Sequence, residues 1–225
     1  KFSSEHYTFL RKQYKKIKEG TFNGEEINNE VKLKLLKQFY NKPPKHVQGN
    51  FINIDNDISK IESDYKKSSP EVVVVDNFLN QEALYELQKF CLSANIFKYP
   101  YQNGYIGAFL EKGLSNTFIL ELTHNLKTTF QKIFKNLNLT GAWIYKYDSC
   151  YDGINVHADE AKVNVNFWIT PEESNLNSKN GGLIIWDKFP KKDWGFEDYN
   201  YIKNSSDIEK MLNENNAKEI KIPYR

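Results

Sequence analysis

The chain holds only two cysteines, Cys91 and Cys150, in 225 residues, too few for a disulfide framework. Cys91 falls at an apolar position of a predicted helix, so a reducing compartment is expected. No apolar run approaches the roughly 18 to 20 residues needed to span a bilayer, and the N-terminus lacks a signal-peptide core. A soluble, cytoplasmic protein with no membrane partner is the expectation. An excess of one charge is missing too: 31 Lys and Arg stand against 29 Asp and Glu, a net charge of +2. Binding along a phosphate backbone calls for a larger basic surplus, so nucleic acid is not an expected partner. Glycine (11) and proline (7) are sparse, while Lys, Asn, Ile, Phe and Tyr abound, the composition of an AT-rich genome. Low-complexity segments and a clear internal repeat are absent. Histidine is scarce as well, with four in the chain and none after His157.

What is present is enough apolar residue for one sizeable core with a helical appendage, at 26.4 kDa. Tyr7, Leu10, Tyr14 and Ile17 recur at helical spacing after Ser3 and Ser4, either of which can cap the helix. Ile27, Val31, Leu35, Leu36 and Phe39 form a second stripe, ended by Asn41-Lys-Pro-Pro44. Residues 1–42 therefore read as a helical pair, a repeat remnant or a cap. The polar stretch 43–70 reads as a connector with one short helix around Ile58 to Tyr65, and the main domain as 71–225. Its first run, Glu71-Val-Val-Val-Val-Asp76, predicts a buried strand. Asn80 can cap a helix whose Leu84, Leu87 and Cys91 face the core, with Leu79 and Leu84 as a hydrophobic staple. Ser115 can start another, with a long stripe from Ile119 through Leu122, Leu126, Phe130 and Ile133 to Leu137; His124 lies on it as a surface histidine. Short β-rich runs follow at 142–147, 162–169, 182–187 and 218–224. Helices first and strands afterwards predict an α+β fold with a mostly antiparallel sheet or barrel.

The chemistry-bearing feature is His157-Ala158-Asp159. Two residues apart on extended backbone, the imidazole and the carboxylate project to one side and can reach one metal ion. His-x-acid alone is a weak signal, since acidic residues are common, so the surroundings matter. Val163, Val165 and Phe167 alternate with Asn164, Asn166 and Trp168, which gives one core face and one face of amides and an indole. In a barrel interior that polar face is a ligand site; on an outer sheet it is a solvent face. The segment 187–199 is aromatic, charged and long, and Phe189, Trp194 and Phe196 make it a lid or a packed surface excursion.

The ordered set of motifs carries a resemblance: the aromatic strand ending near Tyr147, His157-x-Asp159, Asn166-Phe-Trp-Ile-Thr-Pro171, Gly181-Gly-Leu-Ile-Ile-Trp-Asp187 and Lys221-Ile-Pro-Tyr-Arg225. Over residues 70 to 225 the chain resembles the 2-oxoglutarate- and Fe(II)-dependent oxygenases, in particular a bacterial subgroup that often carries tetratricopeptide repeats before its barrel. The resemblance implies a double-stranded β-helix core with flanking helices. It implies His157 and Asp159 as Fe(II) ligands, with 2-oxoglutarate as cosubstrate. Tyr147, Asn166 and Trp168 would line the cosubstrate pocket. A dioxygenase that hydroxylates a small-molecule or peptide substrate is the implied function. The family's distal metal histidine and its 2-oxoglutarate-pairing Arg or Lys have no counterpart here, so the chain is expected to stop before them. Two other classes stay open: a non-catalytic binding or interaction module on the same barrel without a complete metal triad, and a zinc hydrolase on a cupin-like barrel.

Overall fold

A computed structural model describes residues 4–21, 23, 43–101, 103–147, 154–175, 181–200 and 205–224. The chain divides into two units, Lys1–Asn41 and Lys42–Arg225. In the first, α1 (Ser4–Lys18) forms as its periodicity predicts, with Glu5 in the first turn and Lys15, Lys16 and Lys18 in the last, where each charge suits the helix dipole. Ser3 and the second predicted stripe, Ile27 to Phe39, lie outside the described residues.

The larger unit is α+β, with two small antiparallel sheets among the described residues and helices around a core. Three of its helices start where a short polar side chain meets orphan N–H groups. Asp57 caps α2 (Ile58–Lys67) by accepting from Lys60 N, and Asn80 caps α3 (Gln81–Ser93) by accepting from Ala83 N. At α4 (Thr117–Thr129) the cap is Asn116, which accepts from Ile119 N, one residue beyond the predicted Ser115. The long stripe is not one helix. Phe130, 2 % exposed, leaves helical geometry at φ −102° and ψ 63°, and α5 (Gln131–Phe134) restarts after it.

These helices converge on one apolar core that includes Phe51, Leu87, Phe90, Cys91, Phe118 and Leu122. The rings of Phe51 and Phe118 lie 4.7 Å apart at its centre. Residues 43–70, expected as a connector, supply Val47, Phe51 and Ile52 to this core. Two buried carboxylates tie them in. Glu86 accepts from Lys45 N at 3.0 Å, and Glu62 accepts from Lys132 N at 2.7 Å. The Lys45 N–H is the first cause holding Glu86 below the usual carboxylate range, with the Lys89 ammonium helping.

The strands sit on this frame. β1 (Tyr99–Tyr101), β2 (Tyr105–Phe109) and β3 (Trp143–Tyr147) form an antiparallel sheet in that order, with α4 and α5 inserted between β2 and β3. Ala108, fully buried, and Ile144 turn to the core. Register puts Tyr105 opposite Tyr147, Gly107 opposite Tyr145 and Phe109 opposite Trp143, all on the other face. β4 (Leu183–Trp186) pairs with β5 (Glu219–Ile222). Gly182 enters this pair so closely that a Cβ would meet Ile222 O at 2.2 Å. Beside it α6 (Ser205–Glu214) buries Ile208, Met211 and Leu212 in a second cluster that Val156, Trp186, Trp194 and Ala217 complete.

Two predicted strands do not form. Residues 71–76 form no ladder, and Val74 is 43 % exposed. The Ser68 hydroxyl there replaces a strand partner, accepting from Val72 N and donating to Val72 O. Residues 162–169 form no ladder either: 162 and 163 bend, and 164–169 carry no regular secondary structure. Phe167 and Ile169 pack on the core, while side chains answer the backbone: Gln88 donates to Ile169 O and Tyr224 to Thr170 O. No helix among the described residues is long and apolar enough to cross a membrane.

Candidate metal centre

The His-x-Asp motif lies between β3 and the 162–169 run and is fixed from both sides of Ala158. Its N–H donates to Tyr199 O at 3.3 Å, and its carbonyl accepts from Asn200 Nδ2 at 2.6 Å. One residue upstream of the motif, Val156 packs into the α6 cluster. With Ala158 held, His157 and Asp159 project to one side, and His157 Nε2 lies 3.7 Å from Asp159 Oδ1.

Each donor is oriented by a neighbour. His157 Nδ1 is 2.7 Å from Asn155 O. A carbonyl only accepts, so Nδ1 carries a proton, and in the neutral ring the lone pair is then on Nε2. Asp159 Oδ2 accepts from Asn164 Nδ2 at 3.0 Å, which turns Oδ1 toward Nε2. The two side chains are 36 % and 28 % exposed, open enough to receive an ion from solvent. A neutral imidazole lone pair and a carboxylate oxygen, each aimed by a hydrogen bond through its other atom, form the donor arrangement found at protein metal sites. The chemistry of this pair fits one edge of an iron or zinc site. Among the described residues no group of three or more His, Cys, Asp and Glu is placed to hold a metal. His46 pairs with Glu121 at 3.3 Å, and His124 is exposed on α4.

The other predicted site residues occupy separate places. Tyr147 ends β3, half-exposed, with its ring 5.4 Å from Tyr105; loss of water contact, then Tyr105, pushes its phenol up to about 12. Asn166 is exposed, and Trp168 stacks on Tyr224 at 5.7 Å. No hydrogen bond or ring contact among the described residues joins these three to the His157–Asp159 pair. In the 187–199 segment Phe189 is 88 % exposed, Phe196 packs edge-on against Tyr199 at 5.9 Å, and Trp194 is seated in the α6 cluster. A cleft of about 300 Å³ beside Trp194 is lined by Lys191, Asp198, Asp207 and Lys210 among others, and neither His157 nor Asp159 borders it.

Asn164 is the site residue that sequence reasoning did not single out. It stood only as one of two amides on a polar face, and a contact across five residues of irregular backbone has no periodic signature. Comparison of the chain with protein-family models, curated proteins and solved structures gives no match.

Proposed function

We propose that the chain belongs to an Fe(II)- and 2-oxoglutarate-dependent oxygenase, a hydroxylase of a small-molecule or peptide substrate, built on a double-stranded β-helix. One observation carries this reading: Nε2 of His157 and Oδ1 of Asp159 converge at 3.7 Å, each side chain oriented from behind by a hydrogen bond. His157 and Asp159 would hold the metal, and iron with 2-oxoglutarate would supply the oxidising chemistry when bound. The chain's own residues do the positioning. Asn155 keeps the His157 proton on Nδ1, Asn164 steers the Asp159 carboxylate, and the clamp on Ala158 keeps both donors on one side. In this reading Tyr147, Asn166 and Trp168 belong to the cosubstrate wall, Phe189, Trp194 and Phe196 to a substrate-side lid, and the location is cytoplasmic.

The second reading is a non-catalytic binding or interaction module on the same barrel without a complete metal triad. An anaerobic Fe(II) titration with and without 2-oxoglutarate separates the two, run on this chain and on the full gene product. A visible charge-transfer band of the iron chelate in the full product, abolished by His157→Ala, is the expected result. A folded full-length protein with no band would overturn the oxygenase reading in favour of the module.

A further inference from the structure

The face of the three-stranded sheet turned away from the core is almost wholly aromatic. Tyr99, Tyr101, Tyr105, Phe109, Trp143, Tyr145 and Tyr147 share it with Gly107, and register fixes the set. Gly107 makes room for the rings: a Cβ there would sit 3.1 Å from both Tyr145 and Phe109. Four tyrosines form a continuous cluster. Tyr147 lies 5.4 Å from Tyr105, Tyr105 5.1 Å from Tyr145, and Tyr145 5.9 Å from Tyr101. Most of these pairs are tilted or perpendicular. Tyr101 and Tyr105 differ: cross-strand partners beside the hairpin turn, their rings are parallel within 9° at 4.4 Å.

We propose that this cluster is a site of oxidative modification, in which a one-electron oxidant draws electrons from the tyrosines and the stacked Tyr101–Tyr105 pair is converted to dityrosine. Parallel stacking lets two electron-rich rings share a hole, so the pair is where a hole settles. The neighbouring pairs, perpendicular at Tyr145 and tilted by 33° at Tyr147, lie 5.1 Å or more apart and overlap less than the 4.4 Å stack. Tyr145 is further restrained, because desolvation and then the phenols around it push its pKa well above the usual phenol value and it keeps its proton. Tyr101 is 38 % exposed, so water takes the proton released there.

The chemistry balances in two one-electron steps. Each ring loses one electron and its phenolic proton, giving two tyrosyl radicals and reducing two equivalents of oxidant. The radicals join through a carbon ortho to each oxygen, and each ring's displaced ortho hydrogen returns to a phenol oxygen. The net change is one new C–C bond, two protons released and two electrons transferred. The product staples β1 to β2 across their turn. Under the oxygenase reading, on which this last point alone rests, Tyr147 sits at the cosubstrate wall and the cluster would lead stray oxidising equivalents away from it.

The test needs no metal. Folded protein is illuminated at low concentration with tris-bipyridyl ruthenium(II) and persulfate, the monomer is isolated, and trypsin releases residues 99–112 between Lys98 and Lys112. The expected result is dityrosine fluorescence in the monomer and a 99–112 peptide lighter by two hydrogens, with fragmentation lost between 101 and 105. Tyr101→Phe and Tyr105→Phe each abolish the lighter peptide. Tyr85→Phe, exposed on α3, leaves it intact, and unfolding in urea before illumination removes most of the yield. A lighter peptide that persists in urea or in Tyr101→Phe, or coupling of other tyrosines in the folded monomer, overturns the proposal. Neither result bears on the Fe(II) titration, so the two readings fail separately.

Discussion

Replacing Asn164 by Ala should weaken metal binding about tenfold without unfolding the protein. Its Nδ2 donates to Asp159 Oδ2 at 3.0 Å, and the carboxylate is 28 % exposed, so water partly replaces the lost donor. A hydrogen bond to a charged group contributes roughly 1.5 to 3 kcal/mol; taking the lower end for partial exposure gives about 1.5 kcal/mol, close to a factor of ten in affinity. Losing an outer partner of a metal ligand typically costs ~10 to 100-fold, so the estimate sits at the mild end of that range. The assay is an anaerobic Mn(II) or Fe(II) titration of the full gene product followed by electron paramagnetic resonance or calorimetry. Asn166→Ala is the internal control when 2-oxoglutarate is left out, an exposed amide two residues on with no hydrogen bond to the pair among the described residues, and it should leave metal affinity unchanged. His157→Ala should lose far more than Asn164→Ala. Equal losses in Asn164→Ala and Asn166→Ala, or none in Asn164→Ala beside a large loss in His157→Ala, would refute the view that Asn164 aims the carboxylate.

Three further outcomes are expected. Asn80 both caps α3 and donates from Nδ2 to Asn50 O at 2.7 Å, so Asn80→Ala should lower stability in urea by about 2 kcal/mol, one from the cap and one from the second bond. Asn80→Asp keeps only the acceptor and should fall between. Gly182→Ala forces a Cβ onto Ile222 O and should cost about 1 to 3 kcal/mol, as overpacking does, with a lower melting midpoint as the readout. Stability should also fall in alkali: loss of water contact raises Cys91 to about 11 and Tyr147 to about 12, and it raises Tyr145 as well. From about pH 9 upward the unfolded chain releases protons that the folded chain keeps, so unfolding gains as the pH rises. Denaturation midpoints at successive pH values that stay flat from about pH 8 to 11 would contradict this.

The helices were legible because their signals are local. Asn80 before Leu84, Leu87 and Cys91, or the stripe through Ile119 and Leu122, needs nothing beyond a turn or two of chain. β3, β4 and β5 were legible because aromatic and branched runs stood between turn-forming residues. The run 71–76 has the same texture, yet a strand needs a partner, and Ser68 met the backbone of Val72 instead. Residues 163–169 alternate as a strand does because Phe167 and Ile169 pack inward, and packing alone does not require a ladder. β1 and β2 were missed because Pro100, Gly104 and Gly107 interrupt the apolar pattern. The spacing Ile208, Met211, Leu212 was a readable helical signal hidden in a polar stretch. Of the candidate site, the His157–Asp159 geometry followed from an alternation of two, whereas Asn155, Asn164 and Asn200 act through loop contacts that no period encodes.

The two hydrogen bonds on Ala158 come from Tyr199 and Asn200, at the end of the segment whose Trp194 is seated on α6. The segment that could cover a substrate is thereby also the rail on which the two donor side chains are mounted. Shortening or exchanging it to alter selectivity would move His157 and Asp159 together with the cover. An engineer wishing to graft this centre onto another scaffold would have to carry residues 154–164 and 187–200 across as one cassette, with the α6 face that seats them.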